Sequence, residues 1–599
     1  MPDKHAAPVR RWNLTGDKWG NAFVMFLVLA AIAAIFLPAL SNGFVNWDDP
    51  RNFLENYKYR GLGPEQLRWM FTTFHLGPYQ PLSWVTLGLD YLIWGMDPFG
   101  YHLGNVLLHS VNSALFYLLC RRLLAAAIYP LSAGKEVVVS AGVSAFFFAA
   151  HPLRVESVAW ITERRDVLSG LFYLLTLLWY VRARDVKVEI TAFWRRHVLP
   201  SAAFLLSLLA KGMSVTLPLV LVLLDIYPLK RLPMNPGRWF SREYRVIWLE
   251  KIPFAVLAAV FGLLGYIGQA VDGAVIPLRQ YDFSAHAAEA LFGAGFYIWK
   301  TVIPVRLSPL YRVPGEVGLA NHFVLLSGAG LIAVTIIAAL WRRRFPGGIT
   351  IWVYYLSTLS PILLLIRTLA DRYTYIPGMG FALLAGALVL KCQNAANRKL
   401  RAAGLSLALL AMAVLAALTL KQETIWRDSG TLWRHALAMD PGLPLAHYNL
   451  GQWLREQGKP EEAARHYAAA VKLKPDYAEA HLNLGIVLAA QGRMDEAATE
   501  YREAIRYKPG SVEAINNLGT ILTLQGKYSE AAKQYIEVLR IAPDSAETHN
   551  NLGVVLFSQG RVDEAIGQYV EALKIRPDYR NAALNLNDAL AAQGRLQKH

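Results

Sequence analysis

Residues 475–508 read PDYAEAHLNLGIVLAAQGRMDEAATEYREAIRYK, and the same pattern returns on either side of them. Pro441, Pro475, Pro509, Pro543 and Pro577 stand 34 positions apart. In phase with them come Leu450-Gly451, Leu484-Gly485, Leu518-Gly519 and Leu552-Gly553, then Ala463, Ala497, Ala531 and Ala565, then Tyr467, Tyr501, Tyr535 and Tyr569. A period of this size marks stacked helical hairpins, in which small residues let paired helices approach and each Pro ends the second helix. Four full units cover 444–579; a half unit, Thr424–Pro441, precedes them, and Arg580–Leu596 supplies a final helix. Stacked units curl into a superhelix whose concave face takes extended ligands.

The pattern is that of the tetratricopeptide repeat, abbreviated TPR. Asn449, Asn483, Asn517, Asn551 and Asn585 hold one position in successive first helices. An Asn side chain both donates and accepts, so a row of them can grip a peptide backbone whatever its sequence. The repeats resemble those of the nucleocytoplasmic O-linked N-acetylglucosamine transferases, where such a ladder does this. The plainer reading is that Asn is a common consensus residue at that place.

Upstream, the composition changes character. The 599-residue chain is 54% hydrophobic and only 17% charged, with a mean hydropathy of +0.28, too apolar for an ordinary soluble protein. Its net charge of +16 does not point to nucleic acid. The basic residues fall in short loops between apolar runs (Arg121-Arg122, Arg195-Arg196, Lys230-Arg231, Arg342 to Arg344), the pattern that orients membrane helices. Cys120 and Cys392 sit beside such loops, so no disulfide framework is expected.

The first apolar run, Asn21 to about Leu40, is longer than the core of a signal peptide and reads as an anchor with its N-terminus inside. Two amphipathic, aromatic helices follow at 64–74 and 80–94, lying along the membrane and placed to guide a lipid chain. Further spans are expected near 102–119, 137–150, 167–181, 198–210, 214–227, 252–270, 322–340, 349–366, 373–390 and 403–420. Residues 287–304 are apolar but carry Glu289 and Lys300; reading them as a re-entrant or interfacial helix keeps every basic loop on one side. The expected architecture is all-α with about 11 spans plus interfacial helices. A cytoplasmic segment, 1–20, precedes a membrane domain, 21–420, and a repeat domain, 421–599, on the outer face. A bacterial inner membrane suits the simple N-terminus.

Four groups of ionisable residues are expected at the outer face, where charge beside a bilayer is costly and usually functional. Asn46-Trp47-Asp48-Asp49-Pro50 places two adjacent carboxylates just beyond the first span; one can act as a base while the other orients a hydroxyl or a metal. His151, Arg154 and Glu156, followed by Arg164 and Asp166, make a charged rim suited to phosphate and sugar hydroxyls. Lys211 stands alone between two apolar runs, and Arg372 lies in Asp371-Arg372-Tyr373-Thr374-Tyr375-Ile376-Pro377. Each is placed to meet a phosphate, or else to snorkel or pair locally.

The order of these motifs, with repeats behind them, resembles the transmembrane and tetratricopeptide-containing O-mannosyltransferases. The resemblance covers nearly the whole chain and implies a GT-C-class glycosyltransferase. Its donor would be a polyprenyl-phosphate sugar, Asp48 and Asp49 its catalytic pair, and its acceptor a Ser or Thr of a polypeptide brought by the repeats. This chain departs from the family pattern at Glu163-Arg164-Arg165-Asp166, where Gly-Arg-Ala-Asp is usual, at Lys211-Gly212, where Lys-Glu is usual, and at Asp371, where Glu is usual. The missing carboxylate at 212 leaves donor identity and any divalent metal open. The rivals are a membrane-anchored TPR scaffold, an O-oligosaccharide ligase and a transporter. Many spans with charged outer turns count against the scaffold, short late loops against the ligase, and the lack of internal duplication against the transporter.

Overall fold

The computed structural model describes residues 18–128, 134–183, 197–271, 282–313, 315, 318–365 and 368–596. The basic pair Arg195-Arg196 lies outside the described residues. The chain forms two compact units, Met1–Leu432 and Trp433–His599. Among the described residues there is no strand, only one isolated bridge between Tyr311 and Leu369.

The first unit runs α1 (Lys18–Phe36), α2 (Pro64–Thr72), α3 (Pro81–Trp94), α4 (Pro98–Ile128), α5 (Lys135–Ala149), α6 (Val155–Ala159), α7 (Arg164–Arg182), α8 (Leu199–Ala210), α9 (Leu217–Ile226), α10 (Arg245–Leu249), α11 (Ile252–Val271), α12 (Phe283–Val302), α13 (His322–Trp341), α14 (Pro346–Leu365), α15 (Gly378–Gln393) and α16 (Arg398–Glu423). Among the described residues, five segments are long and apolar enough to cross a membrane: Trp19–Ser41, Pro98–Ala127, Ile252–Val271, His322–Trp341 and Arg398–Trp426. A sixth is added if α5 and α6, bent by 55° at His151-Pro152, count as one. The other expected spans are helical but differ in kind. Helix α8 has 12 residues, about 18 Å at 1.5 Å per residue against a hydrocarbon core of about 30 Å. It stops because Lys211 is extended (φ −157°, ψ 127°). Helix α7 carries Arg164, Arg165 and Asp166 in its first turn. The run expected at 373–390 begins as a helix only at Gly378, after the tight turn Asp371–Thr374. Helix α12 is unbroken over 20 residues and shares a core with α13 and α14 through Phe292, Tyr297, Val324, Tyr355 and Leu359.

Two of the basic loops, Lys230-Arg231 and Arg342 to Arg344, meet at the end of α7 remote from Arg164 and the acids of the first loop. There Asp225 accepts from Arg231, Lys251 and Tyr180 at 2.9, 2.5 and 2.6 Å, joining the ends of α7 and α9 to the start of α11. Arg342 to Arg344 close α13 just before Gly347, which lies against the Tyr227 ring. Residues 44–101 hold their own aromatic core of Phe53, Tyr59, Trp84 and Tyr101, so α2 and α3 are packed elements and not a loose loop.

In the second unit the repeats are paired helices, Pro444–Glu456 with Pro460–Leu473 through Ala546–Ser558 with Val562–Ile575, closed by Arg580–Leu596. A Cβ on Gly451, Gly485, Gly519 or Gly553 would lie 2.5–2.8 Å from the ring of Tyr467, Tyr501, Tyr535 or Tyr569. The Gly and Tyr of each unit are therefore one contact. Gly458, Gly492, Gly526 and Gly560 take φ between 71° and 78° at the turns, where a side chain is strained.

Candidate active site

The site is built from chain breaks that collect at one end of the first unit. Pro50 opens a single wide helical turn, Pro50–Leu54, at a position where its missing N–H costs nothing. The preceding Asp48-Asp49 pair is thereby fixed in the loop. Asp49 is buried, and three donors close on it: Val45 N at 2.9 Å on Oδ2, with Trp160 Nε1 at 2.9 Å and Thr162 Oγ1 at 2.6 Å on Oδ1. Burial nevertheless pushes its carboxyl up to about 7, against the pull of those hydrogen bonds. Asp48 is half-buried, and among the described residues no hydrogen bond ends on its carboxylate. Burial raises it too, while Arg165 and Arg372 pull it down. Two neighbouring acids thus have different environments, one spent on holding the loop and one open.

Around them lies an ionic lattice. Arg372 donates from its backbone to Glu156 at 2.9 Å and from its guanidinium to the same carboxylate. It lies 5.2 and 5.4 Å over the rings of Trp47 and Trp160, which stack at 4.5 Å. Glu163 takes Arg165 at 2.6 Å and Lys211 at 2.9 Å. Burial raises its pKa, but Arg165, Lys211 and Arg372 outweigh that and hold it well below the usual range. Lys211 also donates to Asp166 at 2.6 Å. Lys211, Asp166 and Arg372 line one small cleft of about 20 Å³ with Tyr373 and Pro377, room for about one water, so a phosphate enters only if these side chains part. Asp371 accepts from Tyr311 at 2.8 Å.

Three of the expected ligand-binding residues face elsewhere. His151 ends α5: its Nδ1 accepts from Leu153 N at 3.3 Å and its Nε2 donates to Thr301 O at 3.0 Å. Burial drives its pKa down to about 3, so it is a neutral cap. Arg154 is buried between Phe148 and Tyr375 and donates to Thr374 at 3.1 Å. Arg164 turns to Asp90 and Tyr101 O, both at 2.7 Å, and ties α3 to α7. Its neighbour Arg165, a quarter-turn around the helix, faces the acids instead. Residue order could not separate the two, and Trp160 and Thr162, which orient Asp49, carried no sequence signal beyond their place between two charged motifs. The carboxylate that position 212 lacks reappears at Glu163, on the same lysine; space around Gly212 is open. Among the described residues, no group of three or more His, Cys, Asp or Glu side chains is placed to hold a metal ion.

In the repeats, Asn483 donates to Tyr448 OH at 3.2 Å and Asn585 to Asn550 Oδ1 at 2.9 Å, each 35 positions back. These two knit successive units together. Asn449 is buried, while Asn517 and Asn551 are half-buried on their helices.

Models of the tetratricopeptide repeat match residues 448–512, 519–560 and 546–579. The Caenorhabditis elegans protein O-mannosyl-transferase F38B6.6 is 25% identical over 469 residues, covering 75% of this chain and 62% of its own length. The chain resembles the protein O-mannosyl-transferases. Human protein O-mannosyl-transferase TMTC1 is likewise 25% identical over 506 residues, with 75% of this chain and 54% of its own length covered. The Xenopus laevis protein O-mannosyl-transferase tmtc2 is 36% identical over a shorter 157 residues, 26% of this chain and 18% of its own. The chain thus spans less than two thirds of the length of each of these relatives.

Proposed function

We propose that this chain is a membrane-embedded GT-C glycosyltransferase that moves a sugar from a polyprenyl-phosphate carrier to a Ser or Thr hydroxyl of a polypeptide recruited by the TPR domain. The observation that carries the reading is Asp48, an acid without a hydrogen-bond donor of its own, set between two guanidiniums and backed by the tightly held Asp49. The acceptor oxygen attacks the anomeric carbon and its proton passes to Asp48. The bond from that carbon to the carrier phosphate breaks, and the electron pair leaves with the phosphate. Lys211 and Arg372, facing one cleft, meet the negative charge, where low dielectric makes them count for more than in water. Asp49 positions the loop and Glu163 and Glu156 hold the cations in place.

The orientation that suits this chemistry puts the acids outside and the basic loops inside. The gathering of Lys230, Arg231 and Arg342 to Arg344 at the opposite end supports it. The repeats act by raising the local concentration of acceptor. Purified full-length protein in liposomes, given labelled polyprenyl-phosphate sugars and a Ser/Thr-rich peptide, tests the reading: label should move to peptide or water, and Asp48→Asn should slow it by about 10²- to 10⁴-fold. If no donor of any sugar is consumed, the membrane-anchored scaffold becomes the better account.

A further inference from the structure

The segment between α9 and α11 carries charge that the candidate site does not use. From Lys230 to Arg245 it holds five cations and one acid, Glu243. Arg231 is spent on Asp225 and Glu250. Arg238, Arg242 and Arg245 are exposed, and among the described residues none of the three has an ion-pair partner. Arg342, Arg343 and Arg344 at the end of α13 are exposed as well, and the chain just beyond them comes beside this segment where Gly347 lies against the Tyr227 ring.

The loop is folded upon its own indoles. Trp239 Nε1 donates to Pro233 O at 2.7 Å and Trp248 Nε1 to Trp239 O at 2.8 Å. Both indole N–H groups are thereby satisfied within the loop, and Phe240 stacks on Trp248 with ring centres 5.1 Å apart. What the loop presents outward is apolar: Phe240 is 81% exposed, Val246 65% and Leu249 51%. Large apolar side chains set among unpaired guanidiniums suit a bilayer interface, where acyl chains take the first and headgroup phosphates the second.

The position agrees. Leu249 ends α10 and Ile252 begins α11, a helix long and apolar enough to cross a membrane. Lys251 between them is held by Asp225, which ties the loop to the end of that span. Tyr180 donates to the same carboxylate and stands sixteen positions after Arg164 on α7, about 24 Å at 1.5 Å per residue. The loop therefore lies nearly the thickness of a hydrocarbon core, about 30 Å, from the acids of the first loop.

We infer that residues 234–249 form a docking surface for anionic phospholipid headgroups in the leaflet opposite those acids. Arg238, Arg242 and Arg245 take phosphodiester oxygens, which a planar guanidinium meets with two parallel N–H groups. Phe240, Val246 and Leu249 enter among the upper acyl carbons. The adjoining span selects a lipid over a soluble partner, and the unpaired cations select an anionic lipid over a zwitterionic one. Occupied in this way, the surface fixes the depth of the bundle in the membrane, whether or not the chain transfers a sugar.

The test uses full-length protein in nanodiscs of mixed phosphatidylcholine and phosphatidylglycerol, with a trace of either lipid carrying a diazirine on its acyl chain beside the glycerol. After illumination, cross-links to peptides within 233–251 are counted by mass spectrometry. A cation beside an anionic leaflet adds about fivefold in affinity, so labelling per lipid should favour phosphatidylglycerol by roughly tenfold or more. The combined variant Arg238→Gln, Arg242→Gln, Arg245→Gln should cut that preference by about fivefold or more. Its melting in pure phosphatidylcholine should match wild type, since no ion pair is lost. Phe240→Ser should lower labelling from both lipids and leave their ratio unchanged. Equal labelling of the wild type by the two lipids, or a preference that survives the triple substitution, would overturn the surface and leave these residues to a soluble acidic partner or a second copy of the chain.

Discussion

Replacing each acid of the Asp48-Asp49 pair by Asn should produce two different failures. Asp48→Asn breaks no hydrogen bond among the described residues, so the fold should tolerate it. What it removes is the proton acceptor, and general-base assistance contributes about 10²- to 10⁴-fold to a rate. Transfer should fall by that factor with the melting temperature unchanged. Asp49→Asn keeps an oxygen for Trp160 and Thr162 but turns an amide N–H₂ toward Val45 N, which now donates to Oδ2 at 2.9 Å. Leaving that buried N–H unsatisfied costs about 1–3 kcal/mol, so this variant should melt earlier while losing less activity than Asp48→Asn. The assay is sugar transfer in liposomes in parallel with thermal melting followed by intrinsic tryptophan fluorescence. Asp48→Asn within threefold of wild type, or an inert Asp49→Asn with an unchanged melting point, would refute the division of roles.

Other outcomes follow from the same lattice. Burial holds Asp49 at about 7 against an ordinary 3.8; the folded state therefore keeps a proton that the unfolded chain loses, and the stability contributed is complete below pH 3.8 and lost as pH rises toward 7. Melting measured from pH 5 to 8 should show this decline, and Asp49→Asn should flatten it. Arg372→Lys should lower transfer by tenfold or more, since an ammonium cannot hold Glu156 and lie over Trp47 and Trp160 at once; wild-type rates from the lysine variant would dismiss Arg372 as a phosphate partner. Gly485→Val puts a branched side chain where a Cβ alone is 2.6 Å from the Tyr501 ring. Overpacking of this kind costs about 1–3 kcal/mol, which circular dichroism should register as an earlier melting of repeat helices while lipid-phosphate binding persists.

The chain order alone set out the repeats to the residue, because a 34-position period repeats the same packing problem and Gly, Ala and Tyr solve it locally. It also marked the long apolar runs and the four charged motifs, since charge beside an apolar run has few structural uses. Partnership was beyond it. Arg164 and Arg165 are adjacent, yet one ties α3 to α7 through Asp90 and the other faces Glu163 and Asp48; a helical turn decides this only once the neighbours of α7 are in place. His151 and Arg154 stand close together in the sequence, yet His151 caps a helix through Leu153 N and Thr301 O while Arg154 lies between the rings of Phe148 and Tyr375 and donates to Thr374. Which acid is held and which stands open depended on Trp160 and Thr162, more than a hundred residues downstream. Local periodicity is written into the sequence by the geometry of a single helix; the partners of a buried charge are chosen by packing between distant segments, and only the tertiary structure brings those together.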